Sequence, residues 1–242
     1  MKESSQRQQK GLAVLVDPDK ITDTAHVIHV VNLIKHAGAD MVCVGGSLML
    51  ENRFHEVTKE IREKCNLPLV LFPGSPQQVN SSVDAMLLLS LISGRNPELL
   101  IGQHVQAASV IKKSGIEVIP TGYMLVDCGR QTSASYMSQT FPIPYNKPEI
   151  AAATAMAGEM LGLQCVYLDG GSGADKPISP VMIEAVRAAV DCPIIVGGGI
   201  RTERQVQEAY DAGADLIVIG TVFETEPEMV FTLAEVKDRW SK

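Results

Sequence analysis

Residues 194–221 read IIVGGGIRTERQVQEAYDAGADLIVIGT, and this stretch decides the fold. A short apolar run passes through three glycines into a helix opened at Arg201 or Thr202. A glycine then ends that helix just before a second apolar run, which itself closes on Gly220 and Thr221. Runs that are apolar without alternation belong to strands covered on both faces, the condition of a parallel sheet wrapped in helices. Two related phrases stand upstream, HAGADMVCVGG at 36–46 and EMLGLQCVYLDGG at 159–171, and each again sets a glycine at a helix C-cap before a strand.

Working outward, strands are expected at Leu12–Val16, Met41–Val44, Leu69–Phe72, Ala85–Leu91, Glu117–Pro120, Cys165–Leu168, Ile194–Val196 and Leu216–Ile219. Eight strands separated by helical stretches over 242 residues predict an α/β chain with one (β/α)8 TIM-barrel domain, since such a barrel takes about 250 residues. One connection is too short. Residues 73–84, PGSPQQVNSSVD, hold two prolines and few apolar positions, so an irregular or extended segment is expected in place of the third helix. Residues 125–148 form the opposite exception, a long Ser- and Thr-rich loop after a strand, the place for a lid or binding loop.

Composition narrows the function. Hydrophobic residues make up 45% and charged residues 20%, enough to bury a sizeable core. A formal charge of −7 argues against a nucleic-acid surface, which needs clustered Lys and Arg, but leaves room for a local anion site built from backbone N–H groups. The polar start MKESSQRQQK lacks the apolar core of a signal peptide, and no apolar run approaches the ~20 residues of a membrane span. Cys43, Cys65, Cys128, Cys165 and Cys192 show no CxxC spacing; an odd, scattered set fits buried thiols in a reducing cytoplasm.

In barrels of this kind the chemistry sits in the loops after strands. Strand one runs into VDPDK, where Asp17 either binds magnesium or caps a turn. Strand two ends in GGS, where Ser47 offers an oxygen or caps the next helix. Strand six ends in YLDGGSGAD, the densest cluster: Asp169 is placed to act as a general base, with glycines that let N–H groups converge on an anion. Strands seven and eight give GGGIR and GT, a phosphate cradle that needs no Lys or Arg. The five histidines form no ligand cluster and take no catalytic role.

Taken together and in order, VDPDK, GGS, YLDGGSGAD, GGGIR and GT resemble the geranylgeranylglyceryl phosphate synthase family and its heptaprenylglyceryl phosphate synthase relatives. The resemblance extends to GYMLVDCGRQTSASY, to PIPYNKPEIAAATAMAGEMLG and to the shortened connection after strand three, so it spans nearly the whole chain. It implies a magnesium-dependent prenyl transfer, in which the C3 hydroxyl of sn-glycerol 1-phosphate attacks the first carbon of geranylgeranyl diphosphate and diphosphate leaves, for ether-lipid synthesis. It further implies that Asp17 and Ser47 coordinate Mg2+ and that Asp169 is the base. Tyr167, Leu168, Asp169, Gly170, Gly171, Ser172 and Gly173, with Gly198, Gly199, Gly220 and Thr221, would hold glycerol 1-phosphate.

Two departures matter. Members of that family carry glutamate where this chain has Asp169, and the heptaprenyl branch carries lysine where this chain has Leu15, which favours the geranylgeranyl branch. The family also implies self-association, and a lipid product implies transient membrane contact without a transmembrane segment. The competing assignments are another phosphate-binding barrel, such as a sugar-phosphate isomerase or synthase, a heptaprenyl-specific relative, and a non-catalytic scaffold. A long apolar groove would separate prenyl transfer from sugar-phosphate chemistry, and AMLLLSLI (85–92) with LVDCGRQTSASYM (125–137) is the candidate lining.

Overall fold

The computed structural model describes residues 9–46 and 53–240. Eight parallel strands close into a barrel in sequence order: β1 Gly11–Val16, β2 Met41–Val44, β3 Leu69–Leu71, β4 Ala85–Leu91, β5 Glu117–Leu125, β6 Cys165–Asp169, β7 Ile194–Gly197 and β8 Leu216–Ile219. The outer ring comprises α1 Thr24–Ala37, α2 Phe54–Lys64, α3 Gln103–Ser114, α4 Ser133–Ser138, α5 Pro148–Met160, α6 Pro180–Ala189, α7 Glu203–Asp211, α8 Thr221–Thr225 and α9 Met229–Trp240.

The aspartates of the two GAD phrases, and Asp84 at the end of SSVD, share a tertiary role that the sequence pattern did not disclose. Asp40, Asp84 and Asp215 each stand just before a strand, and each reaches back to the first residue or two of the preceding one. Their carboxylates accept from the N–H groups of Leu12, Leu69 and Ile194, each at 2.8 Å. Their own N–H groups donate to the carbonyls of the same three residues at 2.8–2.9 Å. Each also pairs with a cation, Lys237, Arg62 and Arg187 respectively. Strand starts are thereby pinned at the bottom of the barrel, and the opposite end is left to carry loops.

Alternation along the strands makes two apolar layers. Ala13, Cys43, Val70, Leu87, Tyr123 and Tyr167 fill the barrel, while Val14, Val42, Leu71, Met124 and Leu168 face the helices. Each fully buried aliphatic side chain contributes about 1.5–3 kcal/mol relative to exposure. All five cysteines are buried and free.

Between β3 and β4 no α-helix forms: residues 73–84 contain one short 3-10 turn, Pro76–Gln78, as the prolines predicted. Buried Gln78 anchors it, accepting from the Gly74 N–H at 2.8 Å and donating to the Gly46 carbonyl at 2.9 Å. Two boundaries differ from expectation. β5 continues past Pro120 to Leu125, because the proline removes one donor only and its carbonyl still accepts from Gln164 at 2.7 Å. The expected loop at 125–148 contains α4, started by a reciprocal Thr132–Ser135 capping box, and a bridge from Val126 to Ile143. At the three helix ends read as glycine-capped, Gly38 is the cap, whereas Gly162 and Gly213 follow it by one residue; all three are left-handed.

Candidate active site

A cavity of about 610 Å³ opens at the C-terminal ends of the strands. Its inner end is built around Asp169, the last residue of β6, which is 7% exposed inside the barrel. Tyr123 donates its hydroxyl to Asp169 Oδ2 at 2.5 Å, and the Gly171 N–H donates to Oδ1 at 2.7 Å. Burial pushes the Asp169 carboxyl above the ordinary carboxylate range, and the Tyr123 and Gly171 hydrogen bonds hold it partly back. Tyr123 is itself pushed well above the usual phenol range, by burial and then by the Asp169 charge, so it serves as a donor. Two of the four lone-pair directions of the carboxylate are used, which leaves capacity to accept a proton.

Phe72, Tyr123 and Tyr167 frame this end, with Phe72 stacked on Tyr167 at 5.1 Å between ring centroids and Tyr123 edge-on to Tyr167 at 5.5 Å. Gly197 makes the arrangement fit: a Cβ there would lie 2.4 Å from the Tyr167 hydroxyl. Gly198 is more constrained still. Its φ is +80°, and a Cβ would meet the Gly171 and Gly170 nitrogens at 2.7 and 2.8 Å and Asp169 Oδ1 at 2.9 Å. The loops after β6 and β7 therefore touch backbone to backbone, which only glycine permits.

Gly171, Ser172, Gly198, Gly199, Gly220 and Thr221 line the same end of the cavity. Thr221 opens α8, whose first N–H groups lack intrahelical acceptors. Its hydroxyl also accepts from the Gly173 N–H at 3.1 Å, joining the loops after β6 and β8. Arg201 ties the loops after β6 and β7 by donating to the carbonyls of Ala174 at 2.7 Å and Gly199 at 3.3 Å. Thr202, with Gln205, caps α7.

Three of the residues expected to hold the substrate lie off the cavity wall. Leu168 is fully buried in the layer facing the helices, because the alternation that turns Tyr167 and Asp169 inward turns Leu168 outward. Gly170 is buried, with Cys128 Sγ 3.0 Å from where its Cβ would stand. Gly173 is absent from the wall of the cavity, and its N–H is taken by Thr221.

Asp17 stands across the mouth, where the structure shows the capping role open to it from sequence and places it on the cavity wall. It caps the 3-10 turn Pro18–Lys20, Oδ1 accepting from the Asp19 N–H at 3.1 Å, and it also lines the cavity. Burial raises its carboxyl above the ordinary range, countered by the Asp19 N–H and the Lys20 charge. Ser47 lies outside the described residues. Among the described residues no group of three or more His, Cys, Asp or Glu side chains is placed to hold a metal ion without help from a ligand.

From this polar end the cavity runs over the top of β4 into an apolar groove. Met86, Leu88, Leu89 and Leu91 of β4 line it, with Val79, with Ala107 and Ile111 of α3, and with Ala134 and Met137 of α4. The expected lining from 85–92 and 125–137 is thus in place. The α3 wall was not foreseen; the sequence signal was the pair Ala107 and Ile111 at i, i+4 on the buried face. The groove exists because of the missing helix: Met86 and Leu88 lie on the outer face of β4, beside the extended 73–84 segment. His104 also lines the groove, its Nε2 2.8 Å from the Leu89 carbonyl.

Comparison with known proteins follows the same lines. The model of the PcrB family matches residues 5–237. A geranylgeranylglyceryl phosphate synthase of Spirosoma linguale is 53% identical over 94% of this chain and 91% of its own length. One from Chitinophaga pinensis is 50% identical over 93% and 89%. Among solved structures, (S)-3-O-geranylgeranylglyceryl phosphate synthase from Thermoplasma acidophilum, in complex with its substrate sn-glycerol-1-phosphate, superposes with a TM-score of 0.89 at 30% identity, covering 98% of this chain and 94% of the other.

Proposed function

The chain belongs to the PcrB family, and from that premise we propose that it is a prenyltransferase joining the C3 hydroxyl of sn-glycerol 1-phosphate to geranylgeranyl diphosphate, with release of diphosphate, in ether-lipid synthesis. The observation that carries this reading is the cavity itself, lined by glycine, serine and threonine at the β6–β8 end and continuous with an apolar groove along β4 and α3. A sugar-phosphate enzyme has no use for the second half. Asp169, the one buried carboxylate among the described residues, stands at the polar end and supports it further.

In this assignment Ser172, Gly198, Gly199, Gly220 and Thr221 bind the glycerol phosphate through backbone N–H and hydroxyl groups, with Gly171 on the wall beside them, fixing its C3 hydroxyl in the path of the prenyl carbon. Asp169 accepts the C3 proton as the new C–O bond forms, and its burial raises its proton affinity, which favours that transfer. Tyr123 orients that carboxylate. The groove takes the prenyl chain and keeps water away from the developing allylic cation.

A magnesium ion fits the donors at the mouth. Asp17 offers a hard carboxylate with Oδ2 unbonded among the described residues, the sparse protein set typical of Mg2+ held together with substrate phosphates. Ser47 follows in the same assignment from sequence alone. When bound, the ion supplies charge neutralisation for the diphosphate.

Three further features belong to the same proposal. α5 carries Ile150 and Met160 outward at 44% and 79% exposure, with its C-cap Leu161 at 80%, which supports a homo-oligomer. Exposed Tyr136, Met137 and Phe141 beside the groove support brief contact with a membrane that takes up the product, and among the described residues no helix is long and apolar enough to cross one. Five unpaired buried thiols support a cytoplasmic location.

The test is transfer of radiolabelled sn-glycerol 1-phosphate into an organic extract in the presence of Mg2+ and geranylgeranyl diphosphate. Extraction abolished by EDTA is expected. No transfer with this or with shorter and longer prenyl diphosphates would overturn the assignment.

A further inference from the structure

We infer that Lys20 is the side-chain cation that receives the departing diphosphate, held in reserve by an ion pair with Glu224; this rests on the prenyl transfer proposed above. Two phosphorylated substrates must share a cavity whose described wall carries Asp17, Asp169 and Glu224 as acids and Lys20 and Arg201 as strong bases. Arg201 is committed to the main-chain carbonyls of Ala174 and Gly199. Lys20 is not: its Nζ meets Glu224 Oε2, with the two side chains 49% and 25% exposed.

The position of this pair gives it a role. Lys20 closes the turn after β1 and Glu224 lies in α8 after β8, and β1 and β8 are neighbours in the barrel. Lys20 follows Asp17 by three residues and Glu224 follows Thr221 by three, one turn on within α8, so the pair bridges the seam between the diphosphate end and the glycerol phosphate end. Pro18 is buried and the Lys20 N–H donates to the Asp17 carbonyl at 3.0 Å, which fixes the root of the lysine while its tip stays at the water-exposed mouth. A partly exposed ion pair is weak, and a polyanion outcompetes a single carboxylate for the ammonium group.

In the reaction the C1–O bond of the prenyl diphosphate breaks and its electron pair leaves with the diphosphate. The C3 oxygen of the glycerol forms the new bond to C1, and its proton passes to Asp169. Negative charge grows on the leaving oxygen, and an ammonium group released from Glu224 meets it there, an interaction stronger in the transition state than before it. Glu224 is a positioning residue that holds the cation over the mouth between turnovers.

Isothermal titration with inorganic diphosphate in Mg2+, and separately with sn-glycerol 1-phosphate, tests this in the wild type and in Lys20→Met, Lys20→Arg and Glu224→Gln, with melting curves to verify folding. Lys20→Met should weaken diphosphate binding roughly tenfold, the scale of one charge-assisted hydrogen bond partly screened by solvent. Glycerol phosphate binding should stay within about twofold, Lys20→Arg should restore most of the diphosphate affinity, and Glu224→Gln should tighten it by freeing the lysine. Kinetically, kcat/KM for the prenyl diphosphate should fall while KM for glycerol phosphate holds. Equal weakening of both ligands, or no change in diphosphate affinity, overturns the inference while leaving the transferase in place. A wild-type protein that binds neither ligand and transfers no prenyl group overturns the transferase reading and this inference with it.

Discussion

Replacing Tyr123 by Phe removes a single oxygen from the centre of the site. The ring remains, edge-on to Phe72 at 5.8 Å and to Tyr167 at 5.5 Å, so packing is kept. What goes is the donor to Asp169 Oδ2, leaving a carboxylate that is 7% exposed with the Gly171 N–H as its remaining donor among the described residues. A hydrogen bond to a charged group contributes about 1.5–3 kcal/mol, which corresponds to roughly ten- to hundredfold in proton affinity. The sign follows from the chemistry. Burial already raises the Asp169 carboxyl and Tyr123 restrains it, so without Tyr123 it holds its proton to higher pH still. A base must be ionised to act, so the acid limb of kcat/KM should move to higher pH, with a roughly ten- to hundredfold loss on that limb and a much smaller one at alkaline pH. Steady-state rates from pH 5 to 10 in a constant-ionic-strength buffer measure this. Superimposable profiles, or a loss of equal size at every pH, would refute the role assigned to the Tyr123–Asp169 pair.

Other substitutions test the remaining parts. Asp169→Asn should lower kcat by about 10²–10⁴ as a lost general base, yet melt higher than the wild type. A buried acid with a raised folded-state affinity loses stability as pH rises through that value, so the gain in Tm should appear at neutral and alkaline pH and vanish in acid; a lower Tm at all pH values would contradict the burial account. Gly198→Ala must relieve contacts of 2.7–2.9 Å at a φ of +80°, so glycerol phosphate affinity should fall at least tenfold, measured by calorimetry, at a backbone cost of about 1–2 kcal/mol. Ala107→Phe fills the groove wall and should shift preference toward shorter prenyl diphosphates in competition assays, whereas unchanged selectivity would place the chain elsewhere.

Much of the architecture was legible because barrel strands buried on both faces must be continuously apolar, and eight such runs can be counted along the chain. The prolines of PGSPQQVNSSVD announced the missing helix, since proline cannot continue a helical hydrogen-bond ladder. Asp169, the glycines of the cradle and Thr221 were legible for a similar reason: strand ends in a barrel point one way, and loops there need glycine to approach a ligand. The Leu168 side chain lies off the cavity because a motif is contiguous whereas the inward face of a strand takes every second residue.

Other features depended on closure of the barrel. Tyr123 lay between the expected end of the strand at Pro120 and the expected loop from 125, and its bond to Asp169 joins residues 46 positions apart. The Lys20–Glu224 pair spans 204 positions, and only the meeting of β1 with β8 brings it together. The groove needed an absent helix, the outer face of β4 and the buried face of α3 in one place. Sequence by itself determined the period, the strand count and the chemical groups at each strand end, because these are local consequences of backbone sterics and apolar patterning. Tertiary structure decided which groups touch, how far burial shifts their proton affinities and where apolar surface is left open, because those depend on distances that no local pattern encodes.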